Sequence, residues 1–394
     1  MKVLLVTLFL PHHMATHAGG RYVFEVLQHI AQHHEVHLVT RLETDEIPLL
    51  DSLKPFCASI RPYIYRSKAK RGLIDNIRLV ANYIGFSRYA NNIIQSEDYD
   101  LVQVEWVEAG LFIRKSSTPM LLTAHDVMTK PADRKAQNAA NPFSRLFAWT
   151  LHLLTGSIEC RIMKRFDLVV TLSEFDKQYL RRMLPDVPVA SIPIPAGLDI
   201  TTKQYARNNN TIVFLASFKH RKVNVDAALY FYSQVFPIIR RELPDARFVI
   251  AGYGPPEELT SLAKADPQVS VTGFIEDIDR CYKEAAVFVA PILIGGGIIV
   301  KILDALAAGT PVVTTSIGNE GIRAVPGHDL LIANSPEEFA AATIKLLRDP
   351  EGAATMAKHG QAFVLREFGL ETSMKKLEIA HQDLISHGGE RSYS

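Results

Sequence analysis

Apolar and polar positions along this chain alternate between two kinds of pattern. Lys2–Phe9 is a nearly unbroken apolar run, which predicts a strand covered on both faces in a parallel sheet. A loop with Gly19 and Gly20 follows, then Val23, Val26, Leu27 and Ile30 at helical spacing, then the strand-like Glu35–Thr40, which completes one βαβ unit. Leu101–Val104, Met120–Ala124 and Leu168–Leu172 predict further strands, with room between them for helices. Around 187–199 the chain reads VPVASIPIPAGLD, where Pro188, Pro193 and Pro195 block helix and favour an extended connector.

Beyond the polar Asn208–Asn210 the pattern restarts. Thr211–Ser217, Arg247–Gly252, Val269–Gly273, Val287–Pro291, Pro311–Thr315 and Leu330–Ala333 predict strands. Helices are expected from about Asn224, over Ile298–Ala308 and over Pro336–Leu347, with two more up to about Ser386. The fold class is therefore α/β, with two Rossmann-like, doubly wound domains at 1–200 and 201–370 facing a central cleft. Residues 371–394 are expected to form a C-terminal helix that returns to the first domain, and a tail.

Composition narrows the function. A length of 394 residues suits two domains, and 47% apolar with 22% charged residues is ordinary for a globular chain. A formal charge of +1 gives no global attraction to nucleic acid or to an anionic surface. Cys57, Cys160 and Cys281 lie far apart without paired spacing, which fits a reducing, cytoplasmic setting. The opening MKVLLVTLFLPHHM lacks a small-residue cleavage site and reads as a strand, and no apolar stretch approaches the roughly 20 residues of a spanning helix.

The strongest local signal is GGGIIVKILDALAAGTPVV, residues 295–313. Glycines directly after a strand and before a helix let backbone N–H groups approach a phosphate, and the helix N-terminus adds partial positive charge. Gly296, Gly297, Ile298 and Ile299 would form that amide-rich start. Lys301 would hold a diphosphate, with Asp304 on the same helical face. The competing reading is tight strand-to-helix packing with a solvated Lys–Asp pair. Lys219, Arg221 and Lys222, in a loop after the first strand of the second half, are further phosphate-binding candidates at the carboxyl edge of the sheet, against a merely solvated basic loop.

The segment GGGIIVKILDALAAGTPVVTTSIGNEGI resembles the signature of retaining glycosyltransferases of family 4, which have the GT-B fold. LASFKHRKVNVDAALYFYSQVFPIIRRELPDARFVIAGYGP, VTGFIEDI, LLTAHDV and EGIRAVPGHDLLIANSPEEFA match in the same order. The resemblance implies transfer of a sugar from a nucleotide-diphosphate sugar with retained anomeric configuration, no metal and no cofactor beyond that co-substrate. It implies that Asp304 stands where the second acid of the family's paired-acid motif holds the ribose. Gly296 replaces the first acid, and Ile299 stands where related sequences carry arginine. His125, at the end of the MLLTA strand, falls where a histidine contacts the donor sugar; a satisfied loop histidine is the alternative. Gly19 and Gly20 match a loop that closes on donor and acceptor, or form a plain turn. Phe274 follows a strand where the nucleobase lies, although an ordinary buried Phe is the commoner role.

His12, His13 and His17 lack the carboxylates and helical spacing of a metal site, so metal binding is not expected. Asp98–Asp100 and Asp277–Asp279 border strands or turns and suit capping. Arg61–Tyr89 mixes basic and aromatic residues, either as an interfacial segment through which the N-terminal domain meets lipid at the inner face of the membrane, or as a solvated helix face. The expected partners are a nucleotide-sugar donor and a saccharide or lipid-linked acceptor hydroxyl, with no nucleic acid. His125, Arg221 and Lys301 would carry the chemistry. A nucleotide-sugar epimerase and a catalytically weak sugar-nucleotide-binding or scaffold protein are the alternatives.

Overall fold

Five of the six residues of the first strand are buried, as its unbroken apolar run requires. The computed structural model describes residues 1–13, 15, 18–65, 73–130, 141–197, 200–219, 221–294 and 298–386. They divide into two units: Met1–Ile194 joined by the C-terminal segment from Ser373, and Pro195–Thr372.

The first unit contains β1 (Lys2–Thr7), α1 (Ala18–Ala31), β2 (Glu35–Glu43), β3 (Ser59–Tyr65), α2 (Leu73–Ser96), β4 (Leu101–Glu105), β5 (Met120–Ala124), α3 (Pro142–Met163), β6 (Leu168–Thr171), α4 (Glu174–Met183) and β7 (Val189–Ser191). All pairings are parallel, in the order β3-β2-β1-β4-β5-β6-β7. Gly19 and Gly20 lie in the first turn of α1 rather than in a loop. Sequence pattern missed β3 and β7, which lie at the two edges of the sheet and lack an unbroken apolar run. β3 carries Pro62, which an edge tolerates because one row of its backbone groups faces no neighbour, and β7 is three residues long inside the proline-rich connector.

The second unit contains β8 (Asn208–Leu215), α5 (Lys222–Tyr230), a π-turn at Phe231–Val235, α6 (Phe236–Glu242), β9 (Arg247–Ala251), α7 (Glu257–Ala265), β10 (Val269–Val271), α8 (Ile278–Glu284), β11 (Ala285–Ala290), α9 (Val300–Ala307), β12 (Val312–Thr314), α10 (Ser316–Asn319), β13 (Leu331–Ile332), α11 (Pro336–Arg348) and α12 (Pro350–Phe368). α13 (Leu370–Ser386) follows. The strand order is β10-β9-β8-β11-β12-β13, again all parallel. Asn208–Asn210 join β8 instead of preceding it. The single helix expected from Asn224 is divided by the π-turn, where Pro237 has no N–H to donate and its ring crowds the preceding turn. α11 starts where Ser335 and Glu338 form a reciprocal capping box.

Both sheets reverse their winding once, between β1 and β4 and between β8 and β11. At such a switch point the loops leaving adjacent strands part in opposite directions and open a crevice at the carboxyl ends. Among the described residues no helix is long and apolar enough to cross a membrane.

The second sheet rests on an aromatic core. Phe248 of β9 is fully buried, with ring centroids 4.7 Å from Phe231 and 5.8 Å from Phe236, while Phe339 of α11 meets Phe231 edge-on at 5.8 Å. Phe248→Ala is expected to lower the stability of this unit by about 3–5 kcal/mol, and Phe248→Leu by clearly less. Denaturant unfolding followed by circular dichroism checks this; a Phe248→Ala loss below about 1 kcal/mol would contradict it.

Candidate functional site

In the first unit, the residues leaving β4 and β5 build a buried polar chain. Glu105 ends β4 and is fully buried. Its Oε1 accepts from Gln103 Nε2 at 2.6 Å and from Thr123 Oγ1 at 3.0 Å, and its Oε2 lies 2.7 Å from His125 Nε2. A carboxylate only accepts, so His125 carries a hydrogen on Nε2 and leaves Nδ1 as the variable position. Gln103 donates to Glu105, so its own Oε1 faces His381 Nε2, at 2.8 Å, as an acceptor. His381 sits on α13 and is held far below the usual histidine range, at about 3, by burial first and by His34 and His29 second. It is therefore a neutral donor at the far end of the chain.

Trp106 stacks on His125 with ring centroids 4.1 Å apart and planes 13° from parallel, and Tyr22 of α1 meets the imidazole edge-on at 5.7 Å. Trp106 holds φ at 73°, a left-handed conformation costly for a bulky residue, while its N–H donates to Thr123 O at 3.0 Å. Burial pushes the neighbouring Glu108 carboxyl up; its own backbone hydrogen bond opposes this, and Asp126 adds to the rise. His125 is thus clamped from three sides on a histidine–carboxylate hydrogen bond.

In the second unit, cations gather at the switch point. The Lys301 ammonium, on the first turns of α9, donates to Asn224 Oδ1 at 2.9 Å and lies 4.9 Å from the Phe214 ring centroid. Asn224 Nδ2 in turn donates to Ser217 O at 2.7 Å, tying the end of β8 to α5 and Lys301. Loss of hydration lowers the Lys301 pKa to about 7, with the positive Arg221 as the second cause. Arg221, at the N-cap of α5, is exposed, as are Lys219 and Lys222. Lys219 Nζ donates to Tyr253 Oη at 3.2 Å. Among the described residues no carboxylate forms an ion pair with Lys301 or Arg221.

Phe274 is 70% exposed rather than buried, and it meets the half-exposed Tyr253 edge-on at 6.3 Å. Its strand, β10, ends at Val271, and the φ of 69° at Gly273 turns the chain before a packed partner is reached. Gly254 also has positive φ, and a Cβ there would come within 2.7 Å of Lys219 Cβ, so glycine lets these two loops touch. Asp304 Oδ1 accepts from the Gly197 N–H at 3.0 Å, which ties α9 to the start of this unit.

The structure thus brings Lys301, Arg221 and Lys219 to one sheet edge and places His125 at the edge of the other sheet. Ile298 and Ile299 are half-buried just before α9, which begins at Val300 rather than Ile298; Gly296 and Gly297 lie outside the described residues. Gly19 is half-buried and Gly20 buried in the first turn of α1. Sequence reasoning missed Glu105, although a charged residue ending an apolar strand is the same signal that singled out His125. It also missed Asn224, Gln103 and His381, which carry no local signature.

The described residues of Arg61–Tyr89 lie in β3 and α2. Arg61 pairs with Glu97, Tyr65 Oη donates to Glu43 at 2.8 Å, and Arg66, Lys68, Lys70 and Arg71 lie outside the described residues. The His12 and His13 rings lie 4.3 Å apart with their planes tilted by 33°, beside Phe24, and His17 lies outside the described residues. Among the described residues no group of three or more His, Cys, Asp or Glu side chains converges in metal-holding geometry. Asp277 caps α8 through the Arg280 N–H.

Comparison with known proteins joins the two halves. Residues 19–201 match the sequence family described as Glycosyltransferase Family 4, and residues 209–349 match Glycosyl transferases group 1. An uncharacterized 44.6 kDa protein in the cps region of Klebsiella pneumoniae is 26% identical over 208 residues, 51% of this chain and 52% of that protein, so the match spans about half of that relative's length. Among solved structures, sucrose-phosphate synthase from Thermosynechococcus elongatus superposes with a TM-score of 0.72 at 18% identity, covering 98% of this chain and 100% of that one. Anabaena HepE in complex with UDP-glucose superposes with a TM-score of 0.66 at 13% identity, covering 97% and 100%. These two likenesses establish the fold as GT-B, and the two family matches, covering most of the chain in the expected order, show that it belongs to the family 4 glycosyltransferases.

Proposed function

We propose that this glycosyltransferase moves a sugar from a nucleotide-diphosphate sugar to a saccharide or lipid-linked hydroxyl, retaining the anomeric configuration without a metal. The observation that carries the reading is the pair Lys301 and Arg221: two like charges close enough to depress one of them, at the carboxyl edge of a parallel sheet, neither in an ion pair among the described residues. Such a pair is unfavourable alone and is relieved by an anion. A diphosphate suits it, with Lys219, Lys222 and the start of α9 around Ile298 and Ile299 completing the cradle. The exposed Tyr253 and Phe274 offer the nucleobase an aromatic edge, and Asp304 is the candidate for the ribose. HepE, whose structure holds UDP-glucose, has the same fold.

In this reading the acceptor oxygen bonds to the anomeric carbon from the face that the diphosphate leaves. The carbon–oxygen bond to the diphosphate breaks, and the acceptor proton passes to a departing phosphate oxygen. Lys301 and Arg221 stabilise the charge that develops there. His125, fixed by Glu105 and Trp106, is the candidate residue of the first unit for contact with a sugar hydroxyl.

Because Lys301 titrates near pH 7 without ligand, a bound diphosphate raises its pKa and draws in a proton. Calorimetry of a nucleoside diphosphate at pH 8 in buffers of differing ionisation enthalpy is expected to show uptake approaching one proton, absent in Lys301→Met, with affinity weakening as pH rises from 7 to 9. Turnover of a nucleotide sugar is expected to fall roughly a hundredfold or more in Lys301→Met and to persist in a chelator. Equal proton uptake in wild type and variant would remove Lys301 from the diphosphate site.

Glu105→Gln places an amide where three donors converge. It is expected to cost about 1–3 kcal/mol of stability in the first unit, and to let His125 populate the tautomer with hydrogen on Nδ1. Ring nitrogen shifts in a ¹⁵N NMR spectrum report this directly; an unchanged tautomer would show that Glu105 does not set it.

A further inference from the structure

One helix of the first unit is turned inside out. On α3 (Pro142–Met163), Leu146 is 63% exposed, Phe147 73%, Trp149 55%, Leu151 42%, Leu153 47%, Leu154 59% and Ile158 49%. No other helix among the described residues exposes more than two large apolar side chains. Phe147, Leu151, Leu154 and Ile158 recur at i, i+4, i+7 and i+11, one continuous outward stripe, with Leu146 and Leu153 beside it. Among the described residues, the opposite side of the helix buries Ala148, Gly156, Glu159, Ile162 and Met163, and Cys160 Sγ there lies 3.8 Å from Met183 O. A Cβ on Gly156 would lie 3.4 Å from Met183 Cε, so the approach there is close.

The charge pattern identifies the partner. The only acidic residue of α3, Glu159, is fully buried and accepts from the Met128 N–H at 2.8 Å, the Thr129 N–H at 3.1 Å and the Thr129 hydroxyl. The exposed charges on and just beyond the helix are Arg145, Arg161 and Lys164, and no ion pair among the described residues includes any of them. An apolar stripe with tryptophan and phenylalanine, flanked by unpaired cations and free of exposed acids, matches a helix lying in the headgroup layer of an anionic bilayer. A second copy of the chain fits less well, because a self-paired face would set these unpaired cations against one another. At 22 residues the helix is about 33 Å long, a flat contact rather than a crossing.

We propose that α3 is an interfacial anchor that seats the first unit on an anionic lipid surface, with Phe147, Trp149, Leu151, Leu154 and Ile158 in the acyl boundary and Arg145, Arg161 and Lys164 on the headgroups. The proposal stands apart from the sugar-transfer reading, since it uses none of the residues assigned to that chemistry. The chain has two tryptophans, and the other, Trp106, is buried, so Trp149 reports on its own surroundings.

The test adds vesicles of phosphatidylglycerol and phosphatidylcholine, or of phosphatidylcholine alone, to the full chain. Expected are co-flotation with the anionic vesicles, loss of most binding at high salt, a blue shift of tryptophan emission, and quenching by lipids brominated on the acyl chain. Phe147→Ser with Leu154→Ser, and separately Arg145→Glu with Arg161→Glu, are expected to lower partitioning roughly tenfold or more with circular dichroism and nucleoside diphosphate binding unchanged. Absence of flotation overturns the proposal, as does flotation that both variants retain. Concentration-dependent dimerisation abolished by the serine pair, without vesicle binding, would instead make the face a contact between copies.

Discussion

The second unit is organised around one electrostatic difficulty: holding a poorly hydrated lysine beside an arginine. Lys301 keeps its ammonium in place through Asn224, itself anchored on the backbone of Ser217, and over the face of Phe214. These contacts replace part of the lost hydration, but the pKa still falls to about 7. The cost is sustained by the packing beneath. Ile302, Leu303, Ala305 and Leu306 on the other faces of α9 are fully buried, so the helix cannot turn to release its lysine into water.

The first unit solves a related problem with the opposite charge. Glu105 is a fully buried carboxylate, tolerable because Gln103, Thr123 and His125 all donate to it. The chain of donors extends to a neutral histidine on the last helix, so the C-terminal segment helps to satisfy a group next to His125. Trp106 is held in a strained backbone conformation and closes the other side. In both units the polar groups cluster where the sheet reverses its winding, because only there do loops from neighbouring strands diverge.

The fold was legible because parallel strands buried on both faces leave unbroken apolar runs, as in β1, β5 and β11. Strands without such a run leave less trace, which hid β3 behind Pro62, Arg61 and Tyr63, and β7 within a proline-rich stretch. Polar residues at strand ends, such as His125, and the lysine after the glycine run were readable from position alone. Their partners were not: Asn224 lies 77 positions from Lys301, and His381 lies 278 from Gln103, separations that local pattern cannot bridge. Phe274 and the outward face of α3 were misjudged or unseen for a shared reason, since apolar content predicts burial and these residues are exposed.

Whether the cation pair exists to hold a diphosphate is decided most directly by a crystal structure of the chain with a nucleoside diphosphate bound. The account predicts a terminal phosphate oxygen within hydrogen-bonding distance of Lys301 Nζ, the Arg221 guanidinium turned onto the same phosphate, and the base beside Tyr253 and Phe274. A nucleotide seated elsewhere, with Lys301 still bound only to Asn224, would contradict it.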